Sequence, residues 1–352
     1  MRIAQIAPLT ESVPPTMYGG TERIVSYTTE ALVELGHEVT LFATGDSTTR
    51  AQLEAVWPRA LRRDPCIRDP IAPHMLMLER VRQLAGDFDV LHSHLHFYPF
   101  SIFKRQETPF VTTLHGRLDL PEHQSLYGAF EDLSLISLSN AQRRYLPNAH
   151  WVGNVPYGLP ENLYRPYGGK PSYLAFLGRI SPEKRVDRAI AIAAQCGLPI
   201  RIAAKVDLAD KVYFDTEIAP LLRQPHVEYV GEIRDSQKAE FLSGAHALLC
   251  PIDWPEPFGL AMLEAMACGT PVIAFKRGAV AEVIDDGVTG FVVEDEIGAI
   301  AAVDRLENLS RPAIRRHFEQ HYTARRMAGD YVDVYQRVLR AQRKSQLRLV
   351  TD

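Results

Sequence analysis

Short apolar runs of strand length recur along this chain in two series, and the unpatterned gap between them constrains the fold more than any other feature. The first series opens with Met1-Arg2-Ile3-Ala4-Gln5-Ile6-Ala7-Pro8 and continues at Glu38–Ala43, Asp89–His92, Pro109–Leu114 and Leu133–Leu138. The second runs through Tyr173–Gly178, Ile200–Ala204, Val227–Val230, Ala247–Cys250, Val272–Phe275 and Gly290–Val293. Helical spacing lies between them, as in Thr21–Leu35, which Gly36 closes. Apolar strands alternating with helices require a parallel sheet covered on both faces. The gap Pro156–Pro171 is rich in Pro, Gly and Tyr and lacks periodicity, as a linker does. The chain therefore reads as α/β, with two doubly wound domains at residues 1–160 and 161–320 and a helical segment at 321–352 packing back on the first domain. Ligands of such sheets bind beyond the carboxyl ends of the strands, so two sheets facing one another are expected to frame a cleft.

A formal net charge of -4 gives no overall basic footprint, which disfavours bulk nucleic-acid binding. Cys66, Cys196, Cys250 and Cys268 are scattered and form no CxxC pair, so neither a zinc site nor a disulfide framework is expected. A reducing cytoplasm is the simplest setting. Met1–Pro8 is too short an apolar run for a signal peptide or a spanning helix, and reads as a buried strand. From Arg311 onward the chain is helical and basic, with Arg311, Arg315, Arg316, Arg325, Arg326, Arg337, Arg340, Arg343, Lys344 and Arg348 opposed by few acids. Such a helix can touch an anionic membrane from the inner face, or an acceptor, but a solvated face is the commoner use. The cluster Arg59, Arg62, Arg63 and Arg68 carries the same two readings.

The chemistry concentrates in Pro255–Ala274. Pro255 and Pro257 hold Glu256 in extended chain, because a residue before proline is pushed out of the helical region. Helix is expected from near Gly259, with Leu260, Leu263 and Ala267 at helical spacing and Gly269-Thr270-Pro271 as the stop, so Glu264 sits about one turn in. The unpaired backbone N–H groups around Phe258, Gly259 and Leu260 attract anions such as phosphate. Phosphate donors beside hydroxyl acceptors suit a sugar nucleotide. A glutamate at a helix start also serves as a plain solvated partner of the dipole, and this segment alone leaves both readings open. A second motif, Gly178-Arg179-Ile180-Ser181-Pro182-Glu183-Lys184, follows the first strand of the second series, with Lys184 expected in the first turn of the next helix. Gly178 leaves room for a ligand, and two cations aimed at a leaving diphosphate stabilise the charge that develops there.

Four segments together resemble the retaining glycosyltransferases of family 4, which have the two-domain GT-B fold: Tyr18-Gly19-Gly20-Thr21-Glu22-Arg23, Thr113-Leu114-His115-Gly116, Gly178 through Lys184, and Glu256 through Glu264. The resemblance spans almost the whole chain. It implies that Glu256 contacts hydroxyls of the donor sugar, that Phe258, Gly259 and Leu260 support sugar and phosphate, and that Glu264 accepts from the ribose. It likewise implies that Arg179 and Lys184 clamp the diphosphate, that His115 lies near the reacting sugar, and that Gly19 and Gly20 admit the phosphates. Ile233 would meet the base. No metal or other cofactor is implied, in keeping with the lack of an Asp-x-Asp motif in a plausible donor loop. The implied reaction moves a hexose, with retention, from a nucleoside diphosphate sugar such as a UDP-sugar to a saccharide, lipid-linked or small-molecule acceptor held by the first domain. A GT-B epimerase and a non-catalytic sugar-nucleotide-binding protein are the alternatives.

Two further features carry weaker readings. His92, His94 and His96 alternate along a strand end and could ligate a metal, although no Cys or carboxylate stands beside them. Gly19-Gly20 lacks the G-x-G-x-x-G fingerprint of a dinucleotide site. The chain departs from the family pattern at Tyr157-Gly158-Leu159-Pro160, where Asn-Gly is usual.

Overall fold

The structure, a computed structural model, describes residues 1–351, with side chains through Arg343. The basic side chains of Lys344 and Arg348 lie outside that range. The chain forms two compact units, one of Met1–Gly158 together with the C-terminal segment from Ala324, the other of Leu159–Thr323.

The first unit holds a seven-stranded sheet of β1 (Arg2–Ile6), β2 (Glu38–Thr44), β3 (Gln52–Trp57), β4 (Val90–Ser93), β5 (Phe110–Thr113), β6 (Leu135–Ser137) and β7 (Trp151–Asn154). All pairings are parallel, in the order β3-β2-β1-β4-β5-β6-β7, and Ile3 lies between Val39 and Val90. β4 and β5 are buried throughout, which explains their apolar or small-polar character apart from His92. The sequence reading misses β3 and β7 because they are the two edges of this sheet. Their residues are mostly only partly buried, so no continuous apolar run marks them.

The second unit holds β8 (Tyr173–Arg179), β9 (Ile200–Lys205), β10 (Val227–Gly231), β11 (Ala245–Cys250), β12 (Val272–Phe275) and β13 (Gly290–Val293). Their order is β10-β9-β8-β11-β12-β13, again all parallel. The strand order reverses between β1 and β4 in one sheet and between β8 and β11 in the other, the switch points where doubly wound sheets bind ligands.

The helix Ala324–Thr351 packs on the first unit and buries Met327, Tyr331, Val334 and Tyr335 there. Val334 stands so close to Gly153 of β7 that a Cβ at that glycine would lie 2.5 Å from its Cγ2. Several of the basic side chains are structural, which corrects the reading of a solvated face. Arg326 donates to the carbonyls of Pro156 and Tyr157 at 2.7 and 2.8 Å, and Arg337 to that of Val152 at 3.2 Å. In the second unit Arg315 donates to the Tyr164, Ala267 and Glu161 carbonyls at 2.5–2.6 Å, and Arg311 to those of Ser243 and Ala245. Arg315, Arg326 and, at Ser243, Arg311 satisfy carbonyls of helix ends and loops, while Arg337 donates to the edge strand β7. Arg316, Arg325, Arg340 and Arg343 are exposed. Among the described residues no helix is long and apolar enough to cross a membrane.

Candidate functional site

In the second unit the carboxyl ends of β8 and β11 stand next to each other, and each runs into one of the two motifs. The helix Leu260–Ala267 begins as the residue spacing predicts. Gly259 caps it at φ 100°, in the left-handed region that glycine tolerates best. Phe258 is buried against the edge of Tyr322, while Gly259 and Leu260 remain partly open. After β8, Gly178 borders open space, since a Cβ there would meet nothing within 4 Å.

Lys184 departs from expectation. It lies in the turn before the helix Val186–Gln195 rather than within it, because Arg185 adopts φ 52° and delays the helix start. From that turn its ammonium reaches Glu256 Oε2 at 2.5 Å and sits 4.8 Å over the Trp254 ring. Trp254 Nε1 donates to the same carboxylate oxygen at 3.1 Å. Glu256 is 9 % exposed and Lys184 only partly buried, so a diphosphate-clamping candidate and a sugar-binding candidate form one pair that keeps a solvent-facing side. Arg179 ends β8 among three carboxylates, with Glu183 at 3.3 Å, Asp210 at 3.5 Å and Asp207 at 3.7 Å. The Asp253 carboxylate draws Arg185, Arg188 and Arg277, and the Asp253 N–H donates to the Glu183 carbonyl at 2.9 Å, which ties the two motif loops together. Burial pushes the Cys250 thiol at the end of β11 up to about 12, so it is no nucleophile at neutral pH.

Glu264 is 3 % exposed and accepts through Oε1 from Lys238 at 2.6 Å and from the Tyr164 hydroxyl at 3.3 Å. Asp235 also engages Lys238, at 3.1 Å, and lies 2.9 Å from the Tyr164 hydroxyl, whose single hydrogen is shared between the two carboxylates. The half-buried Ile233 lies just before the helix Asp235–Ser243 that carries Lys238. Sequence reasoning misses Trp254, Lys238, Tyr164 and Asp235, whose importance arises from contacts distant along the chain. A proximity signal is present only for Trp254, two residues before Glu256.

The backbone of Glu256 is pinned from the loop after β12. Its carbonyl accepts from the Ala279 N–H at 2.9 Å, and a Cβ on Gly278 (φ 56°) would lie 2.3 Å from the Glu256 oxygen and 2.5 Å from its nitrogen. Gly278→Ala is accordingly expected to displace the Glu256 loop and cut turnover by about tenfold or more, since sub-ångström misplacement of a positioned group is costly. Steady-state kinetics with a sugar nucleotide checks this, and a wild-type rate would contradict it.

In the first unit Gly19 precedes the helix Gly20–Glu34, packed so that a Cβ would lie 2.8 Å from Pro15 Cβ, whereas Gly20 faces open space. His115 follows β5, is partly buried, and joins a chain of more deeply buried rings. His94 Nδ1 and His115 Nε2 are 2.8 Å apart, and His115 Nδ1 lies 2.7 Å from the Tyr157 hydroxyl. His92 and His94 share one face of β4, as their alternation requires, but spend their ring nitrogens on Gln5, Thr113, Tyr335 and His115. Among the described residues no group of three or more His, Cys, Asp or Glu is disposed to hold a metal ion.

Burial holds His92, His94 and His115 well below the usual histidine range, and burial with His123 nearby holds His96 down to about 4. Below pH ~6.5 the unfolded chain takes up protons that these rings resist, so their contribution is fully present above that pH and is lost as the pH falls towards 4. The melting temperature should therefore fall between pH 7.5 and pH 5, and an unchanged value would contradict the neutral-ring assignment.

Comparison with known proteins agrees with this architecture. Residues 18–155 match the family described as Glycosyltransferase Family 4, and residues 166–321 match Glycosyl transferases group 1. A phosphatidyl-myo-inositol mannosyltransferase of Mycolicibacterium smegmatis is 28% identical over 335 residues, covering 86% of this chain and 84% of that protein. The structure of AviGT4, a glycosyltransferase involved in avilamycin A biosynthesis, is 25% identical with a TM-score of 0.71 over 96% of this chain and 98% of that one. Anabaena HepE, solved in complex with UDP and glucose, gives a TM-score of 0.71 at 18% identity over 97% of this chain and 99% of that one. Two parallel α/β units with a motif-bearing switch point define a glycosyltransferase of GT-B architecture. Within that class, the chain belongs to glycosyltransferase family 4.

Proposed function

We propose that this glycosyltransferase moves a hexose, with retention of anomeric configuration and without a metal ion, from a UDP-sugar to a saccharide, lipid-linked or small-molecule acceptor. The observation that carries the reading is the 2.5 Å pair between Lys184 and Glu256 at the switch point of the second sheet. An arriving diphosphate offers the ammonium a second anionic partner. As Lys184 turns to the phosphates, Glu256 Oε2 is released to accept from hydroxyls of the hexose. Arg179 makes the same exchange from its three carboxylates. The first-turn N–H groups at Leu260 take phosphate oxygens, and Glu264 Oε2, which makes no hydrogen bond among the described residues, accepts from the ribose. Charge on the leaving diphosphate is stabilised by the two cations, and that diphosphate accepts the proton of the attacking hydroxyl. The donor class is supported by the UDP and glucose bound to HepE, and a lipid-linked acceptor by the mannosyltransferase relative. The setting proposed is cytoplasmic, with peripheral contact at the inner face of the membrane for a lipid-linked acceptor.

Mass spectrometry of the purified protein with a panel of sugar nucleotides and acceptors tests this reading. Transfer or slow hydrolysis of one donor is expected. Conversion of the sugar without an acceptor would instead identify an epimerase, and tight UDP binding without turnover a non-catalytic binder.

A further inference from the structure

The buried rings around His115 form a hydrogen-bond chain whose direction can be worked out atom by atom. Gln5 in β1 is fully buried and places its amide between His92 and His94. Its nitrogen lies 3.2 Å from the Tyr335 hydroxyl and 3.3 Å from His92 Nδ1, while its oxygen lies 2.8 Å from His94 Nε2. The 3.2 Å separation fits an N–H donor to the tyrosine oxygen and is long for a tyrosine O–H donating to an amide oxygen. With the amide so turned, every other bond is determined. His94 Nε2 must donate to the Gln5 oxygen, so His94 Nδ1 is an acceptor and His115 Nε2 must carry the hydrogen between them. His115 Nδ1 is then an acceptor for the Tyr157 hydroxyl at 2.7 Å. On the other branch Tyr335 donates to His92 Nδ1 at 2.7 Å, and His92 Nε2 donates to Thr113 Oγ1 at 2.8 Å, whose hydroxyl donates to Tyr331 at 3.2 Å. Reversing the amide would invert the whole chain and leave His115 with its hydrogen on Nδ1.

We propose that Gln5 and His94 are positioning residues that hold His115 neutral with its hydrogen on Nε2, so that Nδ1 is presented as an acceptor for a hydroxyl of a sugar substrate in place of the Tyr157 hydroxyl. The inference rests on the glycosyl-transfer reading only for the identity of that hydroxyl. The C-terminal helix takes part, because Tyr335 and Tyr331 close the far end of the chain. The Nε2–H leaves the Nδ1 lone pair as the acceptor, and burial opposes its protonation, so the ring can bind a hydroxyl without becoming charged.

The test is long-range proton–nitrogen NMR of the full chain labelled with nitrogen-15 at histidine, combined with kinetics. In the wild-type protein His92, His94 and His115 are expected to show protonated Nε2 and unprotonated Nδ1. Gln5→Leu removes the amide that fixes the direction, and should give mixed tautomers at His115 with kcat lowered about tenfold and KM for the sugar nucleotide changed less than about twofold. Gln5→Glu keeps an acceptor for His94 and should restore both the Nε2–H form of His115 and most of kcat. An Nδ1–H ring at His115 in the wild-type protein overturns the proposal whether or not transfer occurs, and needs no variant to fold. A folded Gln5→Leu protein with unchanged tautomer and kcat overturns it as well. Nε2–H rings in a wild-type protein that transfers no sugar would support this assignment while counting against the proposed function.

Discussion

Lys184→Ala is expected to lower kcat by about a hundredfold or more while the protein remains folded, because the ammonium is asked to stabilise charge that develops only as the diphosphate leaves. In the resting site the same ammonium neutralises Glu256 and lies over Trp254. Removing it leaves a carboxylate that is 9 % exposed with the Trp254 N–H as a remaining side-chain donor, so the variant loses a phosphate-binding cation and the countercharge of Glu256. The pair keeps some contact with solvent, with Lys184 24% exposed, which limits the stability cost. Lys184→Arg keeps the charge but replaces a compact ammonium by a planar fork, and should recover part of the rate. Near wild-type kcat in Lys184→Ala would remove this residue from the leaving-group machinery.

The second large effect is on stability as well as binding. Glu264→Ala strips Lys238, whose side chain is 11% exposed, of its closer carboxylate and leaves it with Asp235 at 3.1 Å. Breaking a buried pair from one side costs about 3 kcal/mol, which for a unit of this size lowers the melting temperature by roughly 6–12 °C. The same change should weaken UDP binding about tenfold through loss of a charge-assisted hydrogen bond to the ribose. The two consequences separate in a double variant. Adding Lys238→Met removes the ammonium that has lost its closer carboxylate and should restore part of the melting temperature without restoring UDP affinity. Differential scanning calorimetry and titration calorimetry read the two quantities, and restored affinity in the double variant would contradict the ribose assignment.

Much of the fold is legible from the chain because buried parallel strands must be continuously apolar, and the expected central strands match the observed ones to within a few residues at their ends. Half-exposed edge strands need no such run, so β3 and β7 escape notice, whereas the equally exposed edge β10 is found through its valines and tyrosine. At the site, Pro255, Pro257 and Gly259 fix a loop-to-helix transition by local backbone chemistry alone. Lys184 is misplaced in the sequence reading because Arg185 takes a left-handed conformation that its residue type does not announce. The pairing of Lys184 with Glu256 crosses 72 residues and that of Tyr164 with Glu264 crosses 100, so neither leaves a local pattern. The alternation of His92 and His94 correctly places both on one face, yet their use depends on Gln5 from the neighbouring strand β1, a partner that only the sheet order supplies.

The central claim is that two protein cations replace a metal in a transfer that retains configuration. Proton NMR of the reaction with an α-configured UDP-hexose, run in excess EDTA, tests both parts at once. The account predicts an α-configured product at a rate unchanged by the chelator. A β-configured product, or a rate abolished by EDTA and restored by a divalent metal, would contradict it.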